Sequence, residues 1–187
     1  LVTFSGDKLF GGPQAGVIVG RAELVRRIAT NPLARALRID KLTLAALACV
    51  TAAWRDPAAA LDIHSLPVTA MLCAPVEKLR QRAEVLAAKV REGAPTTLSV
   101  AVIDDSSEAG GGSMPAISIP GVSVELRGGA GDALGVLGAD EIQSRLRRAN
   151  PPVVARTVEG CVRLHMRSVF DGDIDDLARA VLEAVVL

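Results

Sequence analysis

A chain of 187 residues with 21 basic and 21 acidic side chains has no formal net charge, which excludes a protein that grips nucleic acid through a net-basic footprint. Half of its residues are hydrophobic and 22% are charged, the composition of a folded domain and not of a disordered one. Aromatics make up only 2%, Trp54 and three Phe, so a base-stacking platform is excluded and the core falls to Ala, Val, Leu and Ile.

In chain order, residues 1–4 and 15–20 read as two neighbouring strands, the second built on the β-branched run Val17-Ile18-Val19. Residues 21–30 read as a helix with Leu24, Val25 and Ile28 on one side, broken by Asn31-Pro32. A longer helix is predicted from about Leu33 or Ile39 to Trp54; apolar almost all the way round, it is expected to be buried between two bodies. Residues 57–67 read as a turn-rich linker, and the domain boundary is set there, giving residues 1–58 and 59–187. Pro75 opens a strong helix to about Glu92, with Leu79, Ala83, Leu86 and Val90 at three- and four-residue steps and Gly93 as its stop.

Residues 98–103 and 122–126 alternate as strands, separated by a flexible polar segment, 104–115, that contains Gly110-Gly111-Gly112-Ser113. Residues 139–149 form an amphipathic helix, and 153–158 with 161–166 flank Glu159-Gly160 as a short hairpin. Asp171-Gly172-Asp173 leads into a last helix over 174–185. Strands mixed with flanking helices make the second body an α+β domain. Cys49, Cys73 and Cys161 are isolated thiols; the first two lie in apolar surroundings and read as small core residues, and an odd count without CxxC pairing fits a reducing cytoplasm. The longest uncharged stretch, 42–54, is too short to span a bilayer, so no membrane segment is expected.

The chemistry-bearing feature is Ser5-Gly6-Asp7-Lys8, followed by Gly11-Gly12-Pro13-Gln14-Ala15-Gly16. A lysine just past a short strand, boxed in by small residues, suits a Schiff-base lysine. Glycines let a flat ring approach the backbone, and a suitable setting lets the amine attack a carbonyl. A surface turn with a solvated lysine is the alternative for so short a pattern. Ser5 reads either as a hydroxyl for a phosphate or as a turn serine, and the role of Asp7 is open. Arg35 and Arg38 are three apart, so on a helical turn both guanidinium groups share a face that suits a tetrahedral oxyanion; a solvated face is the plainer reading. The Gly110-Ser113 loop either lays bare amides against a partner or is a surface loop. His64 and His165 have no ligand-like partners, so neither is read as a metal site or a general base, and no metal is expected.

The whole run from Phe4 to Gly16 closely resembles the lysine loop of bacterial selenocysteine synthase, the pyridoxal-phosphate-dependent L-seryl-tRNA(Sec) selenium transferase. Asn31-Pro32-Leu33-Ala34-Arg35-Ala36-Leu37-Arg38-Ile39-Asp40-Lys41 resembles the same family, and so do the glycine loop and the two C-terminal strands, although His165 stands where the family usually has aspartate. The resemblance implies an α/β fold, the C-terminal part of a type I pyridoxal phosphate transferase: residues 1–58 as the end of the large cofactor-binding domain with its connecting helix, 59–187 as the small α+β domain. It implies pyridoxal 5'-phosphate on Lys8 with Ser5 at its phosphate, and Arg35 and Arg38 as the clamp for selenophosphate. The expected reaction converts seryl-tRNA(Sec) to selenocysteinyl-tRNA(Sec) through an aminoacrylyl intermediate.

Type I enzymes carry the phosphate-cradling helix and the acid for the pyridine nitrogen before the lysine. This chain starts at Leu1, with Lys8 close behind, so it is expected to be an incomplete, truncated or processed fragment, inactive alone. The tRNA would be bound mainly through the part before Leu1. A cytoplasmic homo-oligomer built from dimers is implied. A related pyridoxal phosphate lyase acting on a small amino acid and a non-catalytic folded remnant are the rival readings.

Overall fold

The computed structural model describes residues 1–109, 114, 117–128 and 137–186. They are mixed α/β with open sheets and fall into two compact units, the first built on Leu1–Cys73 and the second on Ala74–Glu108 and Ala116–Leu187.

In the first unit, β1 (Val2–Ser5) pairs antiparallel with β2 (Gly16–Val19), in the register Val2 to Val19 and Ser5 to Gly16. α1 (Ala22–Ala29) has Glu23 in its first turn and Arg26 and Arg27 in its last, each sign matched to the helix dipole. Of the two starts expected for the long helix, the one near Ile39 holds, and a separate short helix fills the stretch after Asn31-Pro32. α2 (Pro32–Ala36) starts with proline at its first turn and the Asn31 side chain capping the Leu33 amide; α3 (Lys41–Trp54) starts afresh at Asp40. The break has a clear cause. Asp40 Oδ1 accepts the amides of Leu42 and Thr43 at 2.7 and 2.9 Å, and Oδ2 accepts the Thr43 hydroxyl at 2.7 Å. The Thr43 hydroxyl bond leads the causes that hold this carboxyl below its ordinary value.

The 57–67 linker is also partly helical: α4 (Pro57–Leu61) is capped by Asp56, and α5 (Pro67–Leu72) follows, both with proline at the first turn. The apolar girth of α3 is not matched by burial within this unit. None of its residues is buried, and Leu42 is 83% exposed. Cys49, on α3, and Cys73, at the end of α5, are exposed, which corrects their reading as core residues; Cys161 alone is buried among the three thiols.

The second unit is a four-stranded antiparallel sheet, ordered β3 (Leu98–Glu108), β4 (Ser118–Gly128), β6 (Cys161–His165), β5 (Arg156–Val158). α6 (Val76–Gly93), α7 (Ala139–Arg148) and α8 (Ile174–Val185) supply the helical side of its core. Alternation on β4 decides the faces: Val122, Val124 and Leu126 are fully buried against Leu79, Leu86 and Val90 of α6, Ile142 and Leu146 of α7, and Val181 of α8. The expected hairpin turn is present, with positive φ at both Glu159 (51°) and Gly160 (74°), as a two-residue turn requires.

β3 runs through Glu108, so residues 104–108 of the expected polar segment are strand. Their polar side chains find partners across the sheet and on α6: Ser123 Oγ donates to Asp105 at 2.7 Å, and Arg80 pairs with Asp104. The Gly110-Gly111-Gly112-Ser113 motif lies outside the described residues.

Gly121 on β4 is there because His165 is. A Cβ at residue 121 would lie 2.5 Å from His165 Nε2. Gly121→Ala should therefore lower stability by about 1–3 kcal/mol, the usual cost of overpacking, read as a lower urea midpoint. Adding His165→Ala should recover part of that loss; an additive double variant would show that the two side chains do not compete.

Candidate active site

The lysine loop is a closed backbone structure. Gly6 N–H donates to Ala15 O at 2.8 Å, Gly12 N–H to Gly6 O at 2.7 Å, and Gly11 N–H to Lys8 O at 3.0 Å. Two glycines are required by crowding: a Cβ on Gly6 would meet Pro13 O at 2.6 Å, and Gly11, at φ +76°, faces Val68 Cγ1 at 2.9 Å. Lys8 sits within this frame with its side chain 52% exposed, and its Nζ is 3.5 Å from Asp7 Oδ2. An exposed pair of this kind adds about 0–1 kcal/mol, so it steers the amine without locking it.

Phe10 packs edge-on against Phe4 (5.4 Å, 61°) and stacks on Trp54 (6.1 Å, 8°), and Trp54 Nε1–H donates to Phe10 O at 2.9 Å. Sequence reasoning missed this clamp. The signal was there in outline: a lone tryptophan at a helix end in a chain nearly without aromatics.

Ser5 and Gly16 are register partners and both line an open, mostly apolar groove of about 860 Å³, bounded opposite by Asn31, Ala34, Leu37 and Ile39. Nothing stands within 4 Å of where a Gly16 Cβ would be. Lys8 does not line this groove, so the structure places the amine and the Ser5 hydroxyl on one hairpin but not in one cavity.

Arg35 and Arg38 are both exposed, and among the described residues neither has a hydrogen bond or ion pair. Their expected shared helical face is absent. α2 ends at Ala36, Leu37 is its C-cap, and Arg38 stands beyond it. The pair therefore issues from a helix end and the connection to α3, flanking the groove residues Ala34, Leu37 and Ile39.

The chemistry of this donor set fits pyridoxal phosphate attached through an amine: a reachable lysine on a hydrogen-bonded loop, bare backbone at Gly16, and a serine on the adjoining strand. Among the described residues no group of three or more His, Cys, Asp or Glu could hold a metal ion.

In the second unit, Arg163 Nε lies 3.0 Å from Glu125 Oε2 and its Nη1 3.9 Å from Asp105 Oδ1. Burial raises the Asp105 carboxyl, but bonds from Ser123 and Ser106 and the Arg163 charge outweigh it and leave the group below its ordinary value. Arg167 is buried and donates to the carbonyls of Ala74, at 3.2 Å, and Pro120, a structural clamp within the unit. His165 Nδ1 accepts the Arg167 backbone N–H at 3.3 Å, which requires a neutral ring.

Burial, only partly offset by Asp105, holds the His165 pKa below 6.5. The unfolded chain therefore takes up a proton that the native chain refuses, and stability is lost as pH falls through the range below the ordinary value. Melting temperature should drop from about pH 7 to about pH 5, and drop less in His165→Gln. Parallel curves would show that other groups set the acid sensitivity.

The family model for L-seryl-tRNA selenium transferase matches residues 1–170. The chain belongs to this family. It is 43% identical over 185 residues to the L-seryl-tRNA(Sec) selenium transferase of Moorella thermoacetica, covering 99% of this chain and 38% of that protein. Identity is 40% over 184 residues with the protein of that name from Solidesulfovibrio magneticus, and 39% over 183 with that from Aquifex aeolicus, each covering 98% of this chain and 38% of the relative. The chain thus spans 38% of the length of these selenium transferases and matches their C-terminal part. No helix among the described residues is long and apolar enough to cross a membrane.

Proposed function

We propose that this chain contributes the lysine-bearing C-terminal part of a pyridoxal-phosphate-dependent L-seryl-tRNA(Sec) selenium transferase, which converts seryl-tRNA(Sec) to selenocysteinyl-tRNA(Sec) with selenophosphate as donor. The observation that carries the reading is the family match over residues 1–170 with Lys8 on a loop whose glycines are required by close contacts. The first unit then ends the large domain of a type I fold and the second is the small domain. A two-stranded sheet is marginal by itself, and β1 and β2 are almost wholly exposed here, as expected of strands completed by a larger sheet. A cytoplasmic homo-oligomer built from dimers, holding tRNA mainly outside this chain, fits the zero net charge.

In this mechanism Lys8 would hold pyridoxal phosphate through Nζ, and Ser5 would offer its hydroxyl to the phosphate. When bound, the cofactor supplies an electron sink for charge developing at the seryl α-carbon. Lys8 Nζ would take the proton from that α-carbon and pass it to the seryl hydroxyl, which leaves as water, and would return a proton to the α-carbon when selenium from selenophosphate adds. Asp7, 3.5 Å away, keeps the amine oriented between these tasks. Arg35 and Arg38, unpaired among the described residues, donate N–H bonds to the oxygens of the selenium donor and hold it against the groove.

The test is a chimera joining the remainder of the Moorella thermoacetica relative to this chain, assayed with seryl-tRNA(Sec) and selenophosphate. Selenocysteinyl-tRNA should form. A folded chimera that instead cleaves a small free amino acid would support the lyase, and one that takes up no cofactor would support a remnant.

A further inference from the structure

Beyond Lys8 itself, we infer that Trp54 is a positioning residue for this lysine, acting through Phe10. The three loop hydrogen bonds closed by Gly6, Gly11 and Gly12 tie the loop to itself; they do not tie it to a helix. Leu47 and Val50 of α3 pack against Gly6 and Gly12, but the hydrogen bond to α3 is made at Phe10, two residues past Lys8, whose carbonyl accepts Trp54 Nε1–H at 2.9 Å. Its ring lies between Phe4 of β1 and Trp54, the last residue of α3, at 5.4 and 6.1 Å. The lysine loop is thereby clamped between its own leading strand and an independent helix.

Burial does not account for Trp54. Trp54 is 41% exposed, and α3 has no buried residue at all, so an aliphatic side chain would serve the helix as well. Composition points the same way. The chain has three Phe, one Trp and no Tyr, and three of these four aromatic residues stand at this loop. Aromatic rings lose little rotamer freedom and carry directional contacts, which suits them to fixing a backbone segment. The need is chemical: a reacting amine misplaced by about 1 Å can cost on the order of a hundredfold in rate.

The inference rests on the reading of Lys8 as the cofactor lysine, and two measurements on the 187-residue chain keep the two ideas apart. The first is amide hydrogen exchange at Gly6, Gly11 and Gly12 in the wild type, Trp54→Phe and Trp54→Ala. Loss of both stack and N–H in Trp54→Ala should speed exchange at these amides about tenfold, and loss of the N–H alone in Trp54→Phe about threefold, with exchange in the middle of α3 unchanged. Unchanged loop exchange in Trp54→Ala overturns the inference; so does uniform acceleration through α3, which marks a merely structural ring. Trp54→Phe keeps the helix end aromatic and decides the matter if Trp54→Ala does not fold.

The second is limited labelling with pyridoxal phosphate and cyanoborohydride, mapped by peptide. Lys8 should be labelled ahead of Lys41, Lys78 and Lys89, and its lead should shrink about tenfold in Trp54→Ala and about threefold in Trp54→Phe. A lead that survives intact in Trp54→Ala contradicts positioning. A wild type with no lead at Lys8 leaves the decision on Trp54 to the exchange data, and the cofactor reading falls only if the cofactor-loaded chimera carries no pyridoxyl group on Lys8.

Discussion

Lys8→Arg, placed in the chimera with the Moorella thermoacetica remainder, should reduce selenocysteinyl-tRNA formation by about a thousandfold or more, the scale of a lost proton-transfer group together with the lost covalent link. Arginine keeps the positive charge and most of the length, so the 3.5 Å contact with Asp7 can persist and the loop should remain closed. What it cannot do is give up its proton to become a nucleophile. Folding should be unaffected: the side chain is half exposed, and the loop is held by backbone bonds and by the Phe10–Trp54 contact. Near-wild-type turnover in Lys8→Arg would remove the lysine from the mechanism. Lys41, Lys78 and Lys89 serve as controls, because none of them stands in a closed glycine loop, and Lys78 and Lys89 are engaged by Asp171 and Asp175.

Arg35→Ala and Arg38→Ala should each weaken use of the selenium donor by about one to two orders of magnitude, since a charge-assisted hydrogen bond to an anion contributes about 1.5–3 kcal/mol. Because the two arginines leave the chain from different local structures, either side of the C-cap Leu37, each should carry its own share. Because both hold the same anion, the loss in the double variant should differ from the product of the two single losses. Lysine at either position should rescue in part, keeping charge and losing the two-pronged geometry. Both side chains are exposed and unpaired among the described residues, so melting temperature should hardly move. Unchanged donor dependence with a lowered melting temperature would make the pair a packing feature.

Legibility followed burial. α6 was readable because Leu79, Ala83, Leu86 and Val90 point into one core, so period and packing agree, and α8 was readable for the same reason. The burial that the apolar girth of α3 led one to expect is not seen within this unit, where its faces are exposed, because apolar content shows what a helix can bury and not against what. The polar residues 104–108 looked like a loop because their side chains are satisfied by cross-strand bonds such as Ser123 to Asp105, a pairing invisible along the chain. At the candidate site the lysine loop was legible from its glycines, of which Gly6, Gly11 and Gly12 answer a close approach or a positive φ. The Trp54 clamp was not, because it joins residues 44 apart and leaves no local pattern.

The measurement that bears most directly on the account is borohydride reduction of the cofactor-loaded chimera followed by peptide mapping. The pyridoxyl group should be found on Lys8. A label on Lys41, Lys78 or Lys89, or on a lysine of the Moorella thermoacetica part, would contradict it.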